Sequence, residues 1–332
     1  MTRNEQVPDR NIAMELVRTT EAAALAAARW VGRGAKIGAD GAAVSAMRMM
    51  LDTVDMDGII VIGEGVKDEA PMLFNGERVG NGQGPQVDVA VDPLEGTRLC
   101  AEGRAGAVSV IAAAPRGTLF NPMDVFYMEK IAVGPAARGK IDLAAPISWN
   151  IEQVAKAKGI RKEQVTVIIL DRDRNTSIAD EVRAAGARIR FITDGDQPAA
   201  VSAAMEGTGV DMMLGIGGST EGVVAACALK CIGGDFQGRL WARDDAQIAF
   251  AREHDLSLER ILTIDELVTS DDVFFAASGV TTGDLLRGVE YVPSGARSES
   301  LVMRSRSGTI RRIQTDHHWR KLQEITGDRY VD

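Results

Sequence analysis

The chain has 332 residues, 45% hydrophobic and 26% charged, so it can bury a sizeable core and is no disordered, collagenous or disulfide-stapled protein. Thirty-eight Lys and Arg against 47 Asp and Glu give a net charge of −9, which argues against binding nucleic acid through a phosphate-neutralising surface. Cys100, Cys227 and Cys231 fit neither a disulfide framework nor a zinc motif, the polar N-terminus lacks a signal-peptide pattern, and no apolar run reaches the ~18 residues of a membrane span, so a cytoplasmic protein off the membrane is expected.

In chain order, Ile12, Leu16, Ala23, Ala27 and Trp30 recur at helical spacing, and Gly32 and Gly34 end that helix. Asp40 then stands where an N-cap would, ahead of Val44, Met47 and Leu51 on one face of a second helix. Residues 58–63 are a β-branched apolar run that reads as a buried strand ending at Glu64. Residues 87–91 form a second strand ending at Asp92, with Pro93 closing its ladder, and residues 106–113 form a third. Beyond a proline-flanked stretch near 136–150, strands at 165–170, 188–193 and 210–214 alternate with helices near 178–185, 198–205 and after Glu221, a rhythm that implies parallel β-α-β units. Residues 273–277 and 301–304 read as late strands. The division expected is an N-terminal subdomain of residues 1–145 with most of the metal ligands. Residues 146–332 would carry the sugar and phosphate contacts and the last metal ligand.

Chemistry concentrates where strands end. Asp92-Pro-Leu-Glu-Gly-Thr97 puts two carboxylates, a hydroxyl and a permissive glycine just past one strand, Glu64 follows another, and Glu221 a third. In an α/β sheet ligands collect beyond the carboxyl ends of strands, so these acids can converge there. Clustered carboxylates call for a hard cation, and an all-oxygen donor set favours Mg²⁺ or Mn²⁺ over zinc. Two such ions about 4 Å apart would clamp an in-line phosphoryl displacement. Thr97 can orient the attacking water, with Asp40 or Asp68 taking a proton. Lys36 is either a source of positive charge at the phosphoryl group or a plain loop lysine. Gly215-Ile-Gly-Gly-Ser-Thr-Glu-Gly222 meets neither the dinucleotide fingerprint nor a hydrolase elbow, and reads as an anion-tolerant turn with Glu221 at its mouth. Arg172 and Arg174 can grip a second phosphate and Asp194-Gly-Asp196 sugar hydroxyls, or all can be solvated turn residues. Arg304 reads as a solvated edge, and His317 and His318 carry no assignment.

Ordered motifs give the chain a resemblance: Trp30-Val-Gly-Arg-Gly, Ala39-Asp-Gly-Ala-Ala-Val, Ile62-Gly-Glu-Gly, Asp68-Glu-Ala-Pro-Met-Leu, Val91-Asp-Pro-Leu-Glu-Gly-Thr-Arg, Tyr127-Met-Glu-Lys, Asp194-Gly-Asp and Gly215-Ile-Gly-Gly. From about Asn11 to Gln314 it is similar to the class II fructose-1,6-bisphosphatases, some of which also cleave sedoheptulose 1,7-bisphosphate. The resemblance implies the sugar-phosphatase (inositol-monophosphatase-like) fold, layered α/β/α/β/α, in a gluconeogenic enzyme, one of the reductive pentose cycle in a carbon-fixing organism. It implies metal ligation by Asp40, Glu64, Asp92, Glu95 and Glu221 and catalytic roles for Lys36, Asp68 and Thr97. Substrate contacts fall on Glu95, Gly96, Thr97, Tyr127, Arg172, Asp173, Arg174, Asp194, Gly195, Asp196 and Gly218. Family habit implies a homo-oligomer. Two departures stand out: Arg172-Asp-Arg-Asn175 where relatives carry basic-Pro-Arg-His, and Ser219-Thr220 where they carry Ala-Pro. The competing readings are a phosphatase for another ester and a non-catalytic cation-binding protein.

Overall fold

In the computed structural model, which describes residues 11–65, 72–123 and 125–326, the first expected helix is α1 (Ala13–Ala28), with Leu16, Val17, Ala23, Ala24 and Ala27 buried. Gly32 (φ 72°) and Gly34 (φ 73°) turn the chain out of it through left-handed conformations. The second helix, α2 (Lys36–Leu51), corrects the expected start: Asp40 lies inside the helix and is no cap. Gly38 lies within this helix, and a Cβ there would fall 2.6 Å from the Trp30 ring, so it is a packing position.

The strands and helices that follow are β1 (Asp57–Ile62), β2 (Arg78–Val79), β3 (Gln86–Glu95), α3 (Thr97–Glu102), β4 (Val108–Pro115), β5 (Tyr127–Val133), α4 (Ile147–Lys158), β6 (Thr166–Leu170), α5 (Thr176–Ala184) and β7 (Arg188–Ile192). Then come α6 (Asp196–Ala204), β8 (Met212–Gly218), α7 (Ser219–Ile232), β9 (Asp235–Trp241), β10 (Leu262–Thr263), β11 (Phe274–Gly279), β12 (Glu290–Val292), β13 (Gly295–Arg304) and β14 (Thr309–His318). An eight-stranded sheet runs β12-β13-β11-β4-β3-β1-β2 with β14 on β13, and a six-stranded sheet runs β10-β9-β5-β8-β6-β7. The first therefore takes strands from both ends of the chain and the second from its middle.

Parallel pairing joins β6 with β7 and β8, the strands expected to form β-α-β units, and β1 with β3; the other pairs are antiparallel. The second sheet is extended by β5 and β9, which the sequence pattern did not single out and which pair antiparallel with each other, β5 also pairing antiparallel with β8. A further correction concerns Pro93, which does not end β3: the strand runs on to Glu95 through a register shift.

The layers follow from period-two burial. Val108, Val110, Ala112 and Ala114 of β4 face α6 and α7 in the middle of the molecule, while Ile111 and Ala113 face α1 and α2. In the second sheet Met128 and Ala132 face that same middle layer, and Ile131 and Val133 face α4 and α5. The order is the expected α/β/α/β/α. Arg304 is no solvated edge: it is buried, forks onto Asp272 with two bonds of 2.7 Å, and lies over the Phe274 ring. His317 is mostly buried against the Ser298 hydroxyl at 2.8 Å. Among the described residues no helix is long and apolar enough to cross a membrane.

Phe236 of β9 fills the middle layer with no exposed surface. Phe236→Ala is expected to lower the unfolding free energy by about 3–5 kcal/mol. Urea titration checks this, and an unchanged midpoint would deny the middle layer its role as core.

Candidate active site

β1 and β3 are parallel neighbours, so their ends open on the same edge of the first sheet. Past β1 the chain turns at Gly63, where a Cβ would lie 2.0 Å from the Leu73 carbonyl, and Glu64 is anchored by its own amide donating to that carbonyl at 2.9 Å. On β3, Asp92 pairs with Val110 and Glu95 with Val108, three steps against two. A plain strand would send residues three apart to opposite faces; the extra residue brings both carboxylates to one side. Gly96 (φ 80°) then turns the chain into α3, whose first residue, Thr97, donates its hydroxyl to the Leu94 carbonyl at 3.0 Å.

Asp40, in the second turn of α2, and Glu221, in the first turn of α7, complete the wall. Glu221 folds back over Gly218, where a Cβ would meet its Oε2 at 1.7 Å, so a side chain there would displace that carboxylate. Asp40, Glu64, Asp92, Glu95, Gly96, Thr97 and Glu221 line one cavity of about 320 Å³. Among the described residues no three of these side chains are gathered into a ready-made ion cage; they face one another across the cavity.

Burial and repulsion act on the acids together. Glu64 is pushed up to about 8, first by burial, then by Asp92 and Asp40. Asp92 is pushed to about 7 by burial, with Glu221 and Asp40 adding to the rise. Glu95, 5% exposed, is raised well above the usual range by burial and by Asp92. Burial also raises Asp40, although a hydrogen bond with Thr97 pulls it back.

A second cavity of about 350 Å³ shares Glu95, Asp194 and Glu221 with the first. Its other walls are basic and aromatic: Arg172, Arg174, Arg243, Tyr127 and Phe126, with Asp196 and Gly218. Arg174 lies 4.4 Å over the Tyr127 ring and donates to the Ile216 carbonyl at 3.0 Å; Arg172 donates to the Thr193 carbonyl at 2.6 Å. Lys130, 1% exposed, donates to Asp196 Oδ2 at 2.6 Å and to the Gly218 carbonyl at 2.7 Å. Asp196 Oδ1 is buried without a protein partner.

Three expected residues stand apart from the two cavities. Lys36 is exposed at the start of α2, where its charge helps lower Glu102. Asp173 is exposed, and Gly195 (φ 98°) is the turn into α6. Asp68 lies outside the described residues. Conversely, sequence reasoning gave no role to Gln197, Lys130 or Arg243. Gln197 directly follows the Asp194-Gly-Asp196 motif and Lys130 closes Tyr127-Met-Glu-Lys130, which are usable signals; nothing in the sequence flags Arg243.

The donor set of the first cavity, carboxylates and a hydroxyl without histidine or thiol, fits a hard divalent cation. The thiols are elsewhere and inert, with burial raising Cys100 to about 11 and Cys227 to about 12.

A family model described as bacterial fructose-1,6-bisphosphatase, glpX-encoded, matches residues 10–317. Fructose-1,6-bisphosphatase 1 class 2 of Escherichia coli (strain K12) is 44% identical over 322 residues, 93% of this chain and 96% of that protein. The class 2 enzyme of Shigella flexneri matches with the same identity and coverage. Extragenic suppressor protein suhB from Bartonella henselae aligns at 14% identity and a TM-score of 0.34 over 59% of this chain and 73% of that one, a likeness too weak to bear on the fold or the chemistry.

Glu64 at about 8 and Asp92 at about 7, against 4.5 and 3.8 when unperturbed, fix a sign. Below the lower values both states are protonated; between lower and upper values the folded chain holds protons the unfolded chain has lost, so stability falls as pH rises through that window. In chelator the melting temperature is expected to be lower at about pH 9 than at about pH 6, and added Mn²⁺ to remove most of the difference. A flat profile in chelator would contradict the crowding of these acids.

Proposed function

The chain belongs to the class 2 fructose-1,6-bisphosphatases and hydrolyses fructose 1,6-bisphosphate, and from that membership we propose that the acid-lined cavity is where the C1 phosphate is cleaved. One observation carries the assignment: an acidic cavity and an arginine-lined cavity adjoin through Glu95, Asp194 and Glu221, a layout suited to a sugar with a phosphate at each end.

Asp40, Glu64, Asp92, Glu95 and Glu221 hold divalent cations, Mg²⁺ or Mn²⁺, in keeping with their all-oxygen chemistry and mutual repulsion. When bound, such ions supply positive charge against the phosphoryl oxygens and acidify water. Thr97 orients the attacking water, and Asp40, which lines the same cavity, takes the proton, a role the family motif shares with Asp68. Lys36, one turn before Asp40 and outside the cavity walls, adds positive charge at the start of α2. Arg172 and Arg174, joined by Arg243, hold the distal phosphate, with Tyr127 beneath Arg174. Asp194 and Asp196 accept from sugar hydroxyls, Glu95, Gly96 and Gly218 close on the substrate between the two phosphates, and Asp173 and Gly195 belong to the loops that carry these contacts. The enzyme works in gluconeogenesis as a cytoplasmic homo-oligomer, a setting that rests on family habit and on three buried free thiols.

Phosphate release tests the reading. Fructose 1,6-bisphosphate is expected to be cleaved with Mg²⁺ or Mn²⁺ and not in chelator, with sedoheptulose 1,7-bisphosphate as a second substrate to try beside an inositol monophosphate. Thr97→Ala is expected to lower kcat about a hundredfold or more while cation binding survives. Unchanged release from Thr97→Ala would remove that step, and equal turnover of monophosphates would favour a general phosphomonoesterase.

A further inference from the structure

α6 begins with Asp196 and Gln197, and the two side chains serve opposite compartments. Asp196 is engaged by Lys130 and by the Gly218 amide on the arginine side. Gln197, 1% exposed, reaches across to the first sheet, where its Nε2 lies 2.9 Å from Asp92 Oδ2 and 2.9 Å from Glu95 Oε2. An amide NH₂ carries two protons, so both are spent on the two carboxylates. Its Oε1 is buried without a protein partner, a cost that a leucine or methionine of similar size would avoid. The side chain is therefore poorly explained as core filler and well explained by what its amide nitrogen holds.

Resting on the acid-pocket reading above, we infer that Gln197 is a positioning residue for cation binding, tying one oxygen of Asp92 and one of Glu95 so that the other oxygen of each stays aimed at the ion. Two carboxylates within reach of one amide repel each other, and that repulsion would swing them apart. Donation from a neutral amide opposes it without adding charge. Ligand carboxylates held by such outer hydrogen bonds lose cation affinity when the partner is removed.

The test uses the full chain with Mn²⁺ alone, titrated by calorimetry without substrate. Gln197→Leu, which keeps the bulk and loses the donors, and Gln197→Asn, which keeps an amide too short to reach, are each expected to raise the Mn²⁺ dissociation constant about 10–100-fold. At saturating Mn²⁺ the kcat of each should return to within about threefold of the parent, a split that a general packing defect would not give. Circular dichroism identifies the folded variants, and the Asn form stands in if the Leu form does not fold. Mn²⁺ binding within about twofold of the parent in a folded variant overturns the inference. Asp92→Asn separates the two failures: if it weakens Mn²⁺ while the Gln197 variants do not, only the role of Gln197 falls, and if it too binds normally, the acid-pocket reading falls with it.

Discussion

Six carboxylates lining one cavity repel each other, and the local structure around them reads as the means of holding them there anyway. Burial strengthens the repulsion by removing water that would screen it, which is why Glu64 and Asp92 are displaced so far upward. Such a cluster is at odds with itself until positive charge arrives, and that latent demand is what the cavity offers chemically. Its donors come from both faces of the first sheet and from the middle layer, so no single helix or loop can relax and disperse them.

Backbone devices do the holding. The extra residue between Asp92 and Glu95 turns two acids that a regular strand would separate onto one side. Glycines then admit side chains into space a Cβ would fill: Glu221 lies where Gly218 has none, and Asp196 Oδ2 would be 1.7 Å from a Cβ on Gly217. Gly217 and Gly218 are thus explained by two carboxylates lying against the end of β8, one from the start of α6 and one from α7. Lys130 completes the arrangement on the other side, since a buried Asp196 without that ammonium would be an uncompensated charge.

How much of this the sequence disclosed follows a physical division. Acids immediately after apolar runs were legible because a buried strand must end in something: Glu64 and Glu221 stand just past such ends, while Asp92 closes the apolar run of β3 although the strand itself continues to Glu95. The helix start at Lys36 was hidden because Gly38 is ambiguous between a breaker and a close contact, and only the Trp30 ring resolves it. The antiparallel core of the second sheet was hidden because β5 carries Glu129 and Lys130 where an apolar run was sought. The motif Asp194-Gly-Asp196 points to the place of Gln197 but not to its role, because its neutral amide gains meaning only from carboxylates about a hundred residues away.

The departure at Arg172-Asp-Arg-Asn175 shows how the same cleft tolerates a changed motif. Asn175 is buried and fully engaged, donating to the Leu170 and Ile216 carbonyls and accepting from the Ile216 amide, so it staples this loop to β8. With that staple in place Asp173 is exposed and absent from the cavity walls, while Arg172 and Arg174 stay on them. Arg243 contributes a third guanidinium from the far side, next to Phe126. The positive field proposed to meet the distal phosphate therefore does not hinge on Asp173; it is set by Arg172 and Arg174 on this loop, both held by backbone carbonyls, and by Arg243 from another part of the chain.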